Sequence, residues 1–265
     1  TYDPVAHNKL AQKIAEASMQ LLKNDNNILP IREGQKIAVI GDMAKNPRYQ
    51  GAGSSLINPT MLFTPYDELK SLGVDFVFSQ GYESGTSAIN QALLDEAVES
   101  AKNVDIVMVF VGLPEELESE GYDRLNISIP QSHNVLIDSI ANVNPNIVVV
   151  LFGGSVICMP WKNKVKGILN AGLGGQACGI AIANILTGKV NPCGKTTETY
   201  PICFEDNPTY GNFPSFPVTA EHIESIYVGY RYYDTANKEV AFPFGFGLSY
   251  TTFEYSNIRL SNNRI

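Results

Sequence analysis

The chain has 265 residues, of which 44% are hydrophobic and 17% charged, and its formal net charge is −8 at pH 7. This balance is typical of a globular protein that buries a sizeable core, whereas so acidic a surface would repel the phosphates of a nucleic acid. No apolar run approaches the roughly 18 residues that a membrane span needs, so we expect neither nucleic acid nor membrane as a partner.

The first element predicted along the chain is a helix. Asp3 can cap it, Pro4 suits its first turn, and apolar residues recur at helical spacing until a turn-forming cluster at 24–27. The apolar residues at this spacing are Leu10, Ile14, Ala17 and Leu21.

Short apolar runs then alternate with helical patterns. The runs at 37–40, 76–78, 106–111 and 147–152 predict buried strands, and the segments 89–101, 133–141 and 179–186 predict helices. This alternation predicts an α/β fold, a mostly parallel sheet sandwiched by helices. Such sheets carry their chemistry on loops beyond the carboxyl ends of the strands, here the loops 41–55, 112–124 and 153–155.

The pattern changes from about residue 188, where prolines and aromatic residues interleave. So many aromatics predict a long ordered segment packed on a surface rather than a flexible linker. From residue 248 the sequence alternates as a strand does, as though a β-domain begins there.

Cysteine and histidine supply no metal-binding pattern. None has the spacing of a zinc or redox motif, so we expect free, mostly buried thiols, no metal and no cofactor. Free thiols agree with a reducing compartment, and we expect a cytoplasmic location. These residues are Cys158, Cys178, Cys193, Cys203, His7, His133 and His222.

An acidic loop follows the fully apolar predicted strand at 106–111. It carries carboxylates at Glu115, Glu116, Glu118, Glu120 and Asp123. A solvated charged loop is the ordinary interpretation of such a run. Two features favour a functional site instead. The loop lies at the functional edge of the sheet. Its crowded carboxylates should also raise one another's pKa, as a general acid requires. In an extended loop Glu118 and Glu120 would project to one side, and the pattern alone does not decide between them.

Glycine-rich segments are the other candidates. The segment 51–55 lacks the lysine and spacing of a phosphate-binding loop. It is either a tight backbone turn or a turn that lends the hydroxyls of Ser54 and Ser55 to a ligand. The glycines at 172–175 give only weak support for a flavodoxin-like nucleotide binder.

Taken in order, many segments resemble the α/β-sandwich domain of glycoside hydrolase family 3, the family of β-glucosidases and β-xylosidases. They are residues 21–25 with 28–30, 39–41, 47–55, 118–124, 174–176, 191–195, 199–201, 228–233 and 242–250. The resemblance implies an N-terminal helix and lead-in at 1–30, the sandwich domain at 31–215, a connecting segment at 216–247, and the first strand of a fibronectin-III-like domain at 248–265.

The resemblance also implies a division of labour. A retaining β-glycosidase of this family takes its aspartate nucleophile from a barrel domain, in a Ser-Asp-Trp motif that this sequence lacks, and its acid/base glutamate from the sandwich domain. The loop length after Gly112 selects Glu118, which we prefer, whereas members with glutamate directly before a Gly-Tyr pair select Glu120. The family likeness makes Ser54 and Ser55 contacts in the +1 subsite, and Asp123 and Arg124 an ion pair that braces the loop.

We therefore expect part of an exo-acting β-glucosidase or β-xylosidase. It would act on β-linked oligosaccharides or aryl glycosides, would be inactive without its barrel domain, and could form a homo-oligomer. The alternative is a non-catalytic carbohydrate-binding or scaffolding module that kept the fold without the nucleophile.

Overall fold

A computed structural model describes residues 2–121, 123–214 and 218–260. A six-stranded sheet with the order β1-β6-β5-β4-β2-β3 forms its centre. The strands are β1 (Gln20–Asn24), β2 (Ile37–Ile40), β3 (Phe76–Ser79), β4 (Ile106–Gly112), β5 (Ile147–Phe152) and β6 (Gly167–Gly172). Strands β2 to β6 are parallel, and β1 pairs antiparallel with β6 at the edge. The predicted mostly parallel α/β fold is confirmed.

Helices cover both faces of the sheet. They are α1 (Pro4–Ser18), α2 (Pro65–Ser71), α3 (Gln91–Ala101), α4 (Gln131–Ala141), α5 (Cys178–Leu186) and α6 (Tyr230–Thr235). Helices α1 and α2 pack on α5, and α3 packs on α4. Every residue of the central strands β4 and β5 is buried, which requires cover on both faces and explains their unbroken apolar sequences.

The predicted N-terminal helix is present, with Asp3 as its cap, but it is shorter than predicted. Helix α1 ends at Ser18, and Leu21 lies in β1, where it is fully buried. Leu10 and Ile14 are exposed, whereas Ala15 is buried against the core. The apolar spacing that predicts one helix combines an exposed stripe with the start of a strand.

The strand order changes direction between β2 and β4, which are parallel neighbours in the sheet. From β2 the chain passes to β3 on one side, and from β4 it passes to β5 and β6 on the other. Loops diverge at such a switch point and leave a crevice at the carboxyl ends of the strands, where ligands bind in folds of this kind.

The C-terminal segment is ordered along the domain surface. Isolated bridges join Tyr200 to Phe242 and Leu21 to Leu248, and the Tyr250 hydroxyl donates to the Ile185 carbonyl at 2.8 Å. Residues 249–260 form no strand, and 261–265 of the predicted strand lie outside the described residues. The predicted domain boundaries and the fibronectin-III-like strand stay predictions.

The four cysteines are free, as predicted, but only Cys178 is buried, so the expectation of mostly buried thiols is wrong. In the part of the chain that the structure describes, every helix is too short or too polar to cross a membrane.

Candidate active site

Three loops meet at the carboxyl edge of the sheet, as the sequence predicts. They follow β2, β4 and β5, and the Glu118 side chain joins them by accepting from the Arg48 guanidinium and from the Gly154 backbone N–H. Close approach of the strands beneath them depends on glycine: at Gly41, with φ +119°, a Cβ would lie 2.1 Å from the Phe110 carbonyl oxygen.

Glu118 is the centre of this junction. The Arg48 guanidinium donates from Nη1 to Glu118 Oε2 at 2.5 Å and from Nη2 to the Glu118 carbonyl oxygen at 2.7 Å. The Gly154 N–H donates to the same Oε2 at 2.8 Å, and the Ser155 hydroxyl donates to Oε1. Both carboxylate oxygens are occupied, so Glu118 ties the three loops together.

The contacts around Glu118 favour its ionised form. Burial acts to raise its pKa, but the hydrogen bonds from Ser155 and Gly154 and the positive charge of Arg48 together outweigh burial and hold the pKa below its ordinary value. The Arg48 side chain is only 9% exposed, and the Glu118 side chain 18%. A carboxylate with both oxygens bonded inside the domain has none free to face a ligand, so the geometry weighs against our preference for Glu118.

Glu120 lies on the exposed side of the same loop. Its Oε2 accepts hydrogen bonds from the Ser54 N–H at 2.7 Å and from the Ser54 hydroxyl, and these bonds lower its pKa. No described residue donates to its Oε1. At Gly53, with φ +74°, a Cβ would lie 2.7 Å from the Glu120 Cβ, so only glycine lets Glu120 pack against this loop.

The acidic loop is not extended throughout, so the condition under which Glu118 and Glu120 would project to one side is not met. A 3₁₀ turn at Glu115–Leu117 and a turn at 120–121 interrupt the loop, and Glu118 and Glu120 contact different loops. The expectation that crowding raises the pKa is wrong, because both carboxyls have lowered pKa values.

The two serines of the glycine-rich turn have different roles. Ser54 contacts Glu120, whereas the Ser55 hydroxyl donates to the Ala52 carbonyl at 3.1 Å within its own turn. The predicted contact of Ser54 and Ser55 with a sugar stays a prediction.

Arg124 braces the loop, but not through Asp123. Its Nη1 donates to the Ser155 hydroxyl at 2.8 Å and to the Val156 carbonyl at 3.1 Å. Among the described residues no ion pair joins Asp123 to Arg124, so that pairing is wrong.

Sequence reasoning overlooked Arg48 and Glu198. Arg48 lies inside a segment that resembles the family, but nothing near it in the sequence signals that it pairs with Glu118. Glu198 lines a cavity of about 350 Å³ with Ser155 and Tyr200. Partial burial and the nearby charge of Glu118 raise the pKa of Glu198.

No metal-binding cluster of three or more histidine, cysteine, aspartate or glutamate residues occurs in the described ranges. The groups that the carboxyl edge offers are carboxylates, hydroxyls and amides, which suit proton transfer and hydrogen bonding to a neutral ligand.

The fold and this edge define a doubly wound α/β domain with a carboxylate-bearing loop at its switch-point edge. Residues 19–250 match the family described as Glycosyl hydrolase family 3 C-terminal domain, and the chain belongs to this family. It is 49% identical over its whole length to thermostable beta-glucosidase B of Acetivibrio thermocellus, covering 35% of that protein.

Two further proteins are similar to the chain over nearly its whole length. The chain is 43% identical to an exo-alpha-(1->6)-L-arabinopyranosidase of Bifidobacterium longum, over 98% of this chain and 36% of that one. The crystal structure of a GH3 beta-glucosidase of Bifidobacterium adolescentis superposes with a TM-score of 0.91 at 47% identity, covering 95% of this chain and 37% of that one. The chain thus spans about a third of the length of these relatives.

Proposed function

We propose that this domain supplies the general acid/base of a retaining, exo-acting β-glycosidase, and that Glu120 is that residue. One observation carries the assignment: Glu120 presents an open carboxylate oxygen on the exposed side of the loop, whereas both oxygens of Glu118 are bonded inside the domain. A proton donor must reach the glycosidic oxygen, and of the two candidates Glu120 has the free carboxylate oxygen that this requires.

The reaction needs a second carboxylate about 5 Å away as nucleophile. This sequence has no Ser-Asp-Trp segment to provide it, so we assign the nucleophile to a barrel domain of the parent protein, as the family resemblance implies. Glu120 would protonate the leaving oxygen as the nucleophile attacks. As a carboxylate it would then take a proton from the water that hydrolyses the glycosyl intermediate.

The lowered pKa of Glu120 is compatible with this cycle. Its carboxyl is fully exposed in this chain, and its pKa is lowered by the two hydrogen bonds from Ser54. Docking of a barrel would exclude water from Glu120 and place an ionised aspartate nearby, and both changes raise a carboxyl pKa. The same docking would leave Arg48 against Glu118, because that pair lies within the domain.

Glu118 then acts as a positioning residue. Together with Arg48 and Ser155 it fixes the loop two residues before Glu120, while Ser54 orients the Glu120 carboxylate directly. Catalytic groups need such support, because small misplacements of a proton donor slow the reaction.

The substrates that fit this proposal are β-linked oligosaccharides or aryl glycosides with a terminal β-glucose or β-xylose. The relatives named beta-glucosidase support glucose. The relative named exo-alpha-(1->6)-L-arabinopyranosidase is nearly as similar, and we assign the choice of terminal sugar to the barrel domain, as the family resemblance implies.

The test compares Glu120→Gln with Glu118→Gln in the parent enzyme, on aryl glycosides with poor and activated leaving groups. Glu120→Gln should lose roughly 10²- to 10⁴-fold activity on the poor leaving group and far less on the activated one. Glu118→Gln should affect both substrates alike. The opposite pattern would make Glu118 the acid, and two fully active variants would favour the non-catalytic carbohydrate-binding alternative.

A further inference from the structure

A cavity of about 500 Å³ lies at the topological switch point, beside the acidic loop but apart from Glu120. The loops after β2, β3 and β4 form its walls, and its volume is within the range of about 300–1,000 Å³ found for small-molecule sites. Residues that line it include Asp42, Arg48, Ser84, Thr86, Glu116 and His133.

The buried wall carries one oriented donor. His133 is only 2% exposed, and its Nδ1 accepts a hydrogen bond from the Gly112 N–H at 3.4 Å. Because burial lowers the pKa of His133 to about 3, the ring is neutral and its single proton lies on Nε2. No described residue accepts that proton, and because His133 lines the cavity, Nε2 can donate to an oxygen of a ligand there.

The rim is rich in acceptors and is preorganised. Asp42 accepts hydrogen bonds from the Ser84 hydroxyl and from Asn46 Nδ2, the latter at 3.0 Å, so the loops after β2 and β3 are joined. Glu115 and Glu116 extend the rim from the loop after β4, and Met43 and Pro114 add apolar surface. Donors, acceptors and apolar faces together are what a polyhydroxylated ligand requires.

The charge of the walls selects against anions. Asp42 and Glu116 are acidic, and the positive charge of Arg48 is already matched by Glu118. A phosphate or nucleotide would meet a net negative wall, although flavodoxin-like folds bind such ligands at this position.

We propose that this cavity is a second binding site for a neutral polyhydroxylated ligand, a mono- or disaccharide, distinct from the face that carries Glu120. The ligand's hydroxyls would donate to Glu116 and accept from His133 Nε2. The inference does not depend on the proposed catalytic role of Glu120.

The test titrates the chain with cellobiose and observes the His133 ring nitrogens by NMR. Saturable shifts of Nε2 are expected, and Glu116→Gln should weaken binding roughly tenfold through loss of a hydrogen bond to a charged acceptor. Glu116 is exposed, so this variant should fold normally. Glu120→Gln, the matched control on the other face, should bind cellobiose as the unchanged chain does.

Glucose 6-phosphate tests the charge argument, since it should bind more weakly than glucose. The proposal is overturned if cellobiose leaves the His133 resonances unshifted up to its solubility limit. It is also overturned if Glu120→Gln rather than Glu116→Gln removes binding, or if inorganic phosphate binds more tightly than the neutral sugars.

Discussion

Replacing Glu118 by glutamine should destabilise the domain strongly. The substitution is nearly isosteric, but it removes the negative charge and replaces one acceptor oxygen by an NH₂ group. Glu118 accepts hydrogen bonds from Arg48 and Gly154 at Oε2 and from Ser155 at Oε1. A glutamine keeps one acceptor oxygen and turns an NH₂ donor toward the remaining donors. Arg48, only 9% exposed, would lose its counter-charge.

The size of the effect follows from these contacts. Removing one partner of a buried ion pair typically costs about 3–5 kcal/mol, whereas an exposed pair contributes about 0–1 kcal/mol. The Glu118 side chain is 18% exposed, so solvent reduces the cost somewhat. We expect the free energy of unfolding to fall by roughly 3 kcal/mol in Glu118→Gln.

The chain contains its own reporter for this measurement. Trp161 is its single tryptophan, is fully buried, and donates from Nε1 to Asn134 Oδ1 at 2.9 Å. Denaturant unfolding followed by tryptophan fluorescence therefore reports loss of the core. Glu99→Gln is the matched control, because Glu99 forms an exposed ion pair with Lys102, and it should change stability by less than about 0.5 kcal/mol.

The reasoning fails if the free energy of unfolding of Glu118→Gln lies within about 0.5 kcal/mol of that of the unchanged chain, as is expected for the Glu99→Gln control. That result would mean that Arg48 and Glu118 contribute no more than a surface ion pair. It would also remove the case for Glu118 as a positioning residue.

Three further outcomes follow from single residues. The folded-state pKa of His133, about 3, lies below its ordinary 6.5. The neutral His133 therefore makes its full contribution to the free energy of unfolding above about pH 6.5. That free energy should fall as the pH drops below this value, by roughly 3 kcal/mol near pH 4. Denaturant titrations at a series of pH values should show a smaller fall in His133→Gln. Gly53→Ala should displace Glu120 and reduce kcat of the parent enzyme with only a modest loss of thermal stability, since Gly53 is exposed. Gly41→Ala should leave little folded chain by circular dichroism, because its Cβ would overlap the Phe110 carbonyl.

Much of the fold follows from local pattern. The buried strands β2, β4 and β5 are short runs of β-branched and other apolar residues, and the structure places them where the sequence predicts. Strand β1 was missed because Leu21 and Leu22 continue a helical spacing, and pairing with β6 overrides that local preference. Tertiary pairing of this kind leaves no signal in a short window of sequence.

The candidate site, like the fold, could be predicted from the sequence only in part. The sequence places Glu118 and Glu120 on a loop at the functional edge, because that follows from strand order alone. It does not reveal that Arg48, 70 residues earlier, turns Glu118 into an internal anchor. The choice between the two glutamates depends on that long-range contact. The pattern therefore left the choice open, and the loop length of similar proteins favoured the residue that is bonded inside the domain.

The most direct test of the account is the product that forms when azide is added to the parent enzyme carrying Glu120→Gly. Without an acid/base residue, an activated aryl glycoside should still form the glycosyl intermediate, and azide should attack it without needing a base. The account predicts a β-glycosyl azide with Glu120→Gly and restored turnover, and no such product with Glu118→Gly. Formation of the β-azide by the Glu118 variant alone would contradict the assignment.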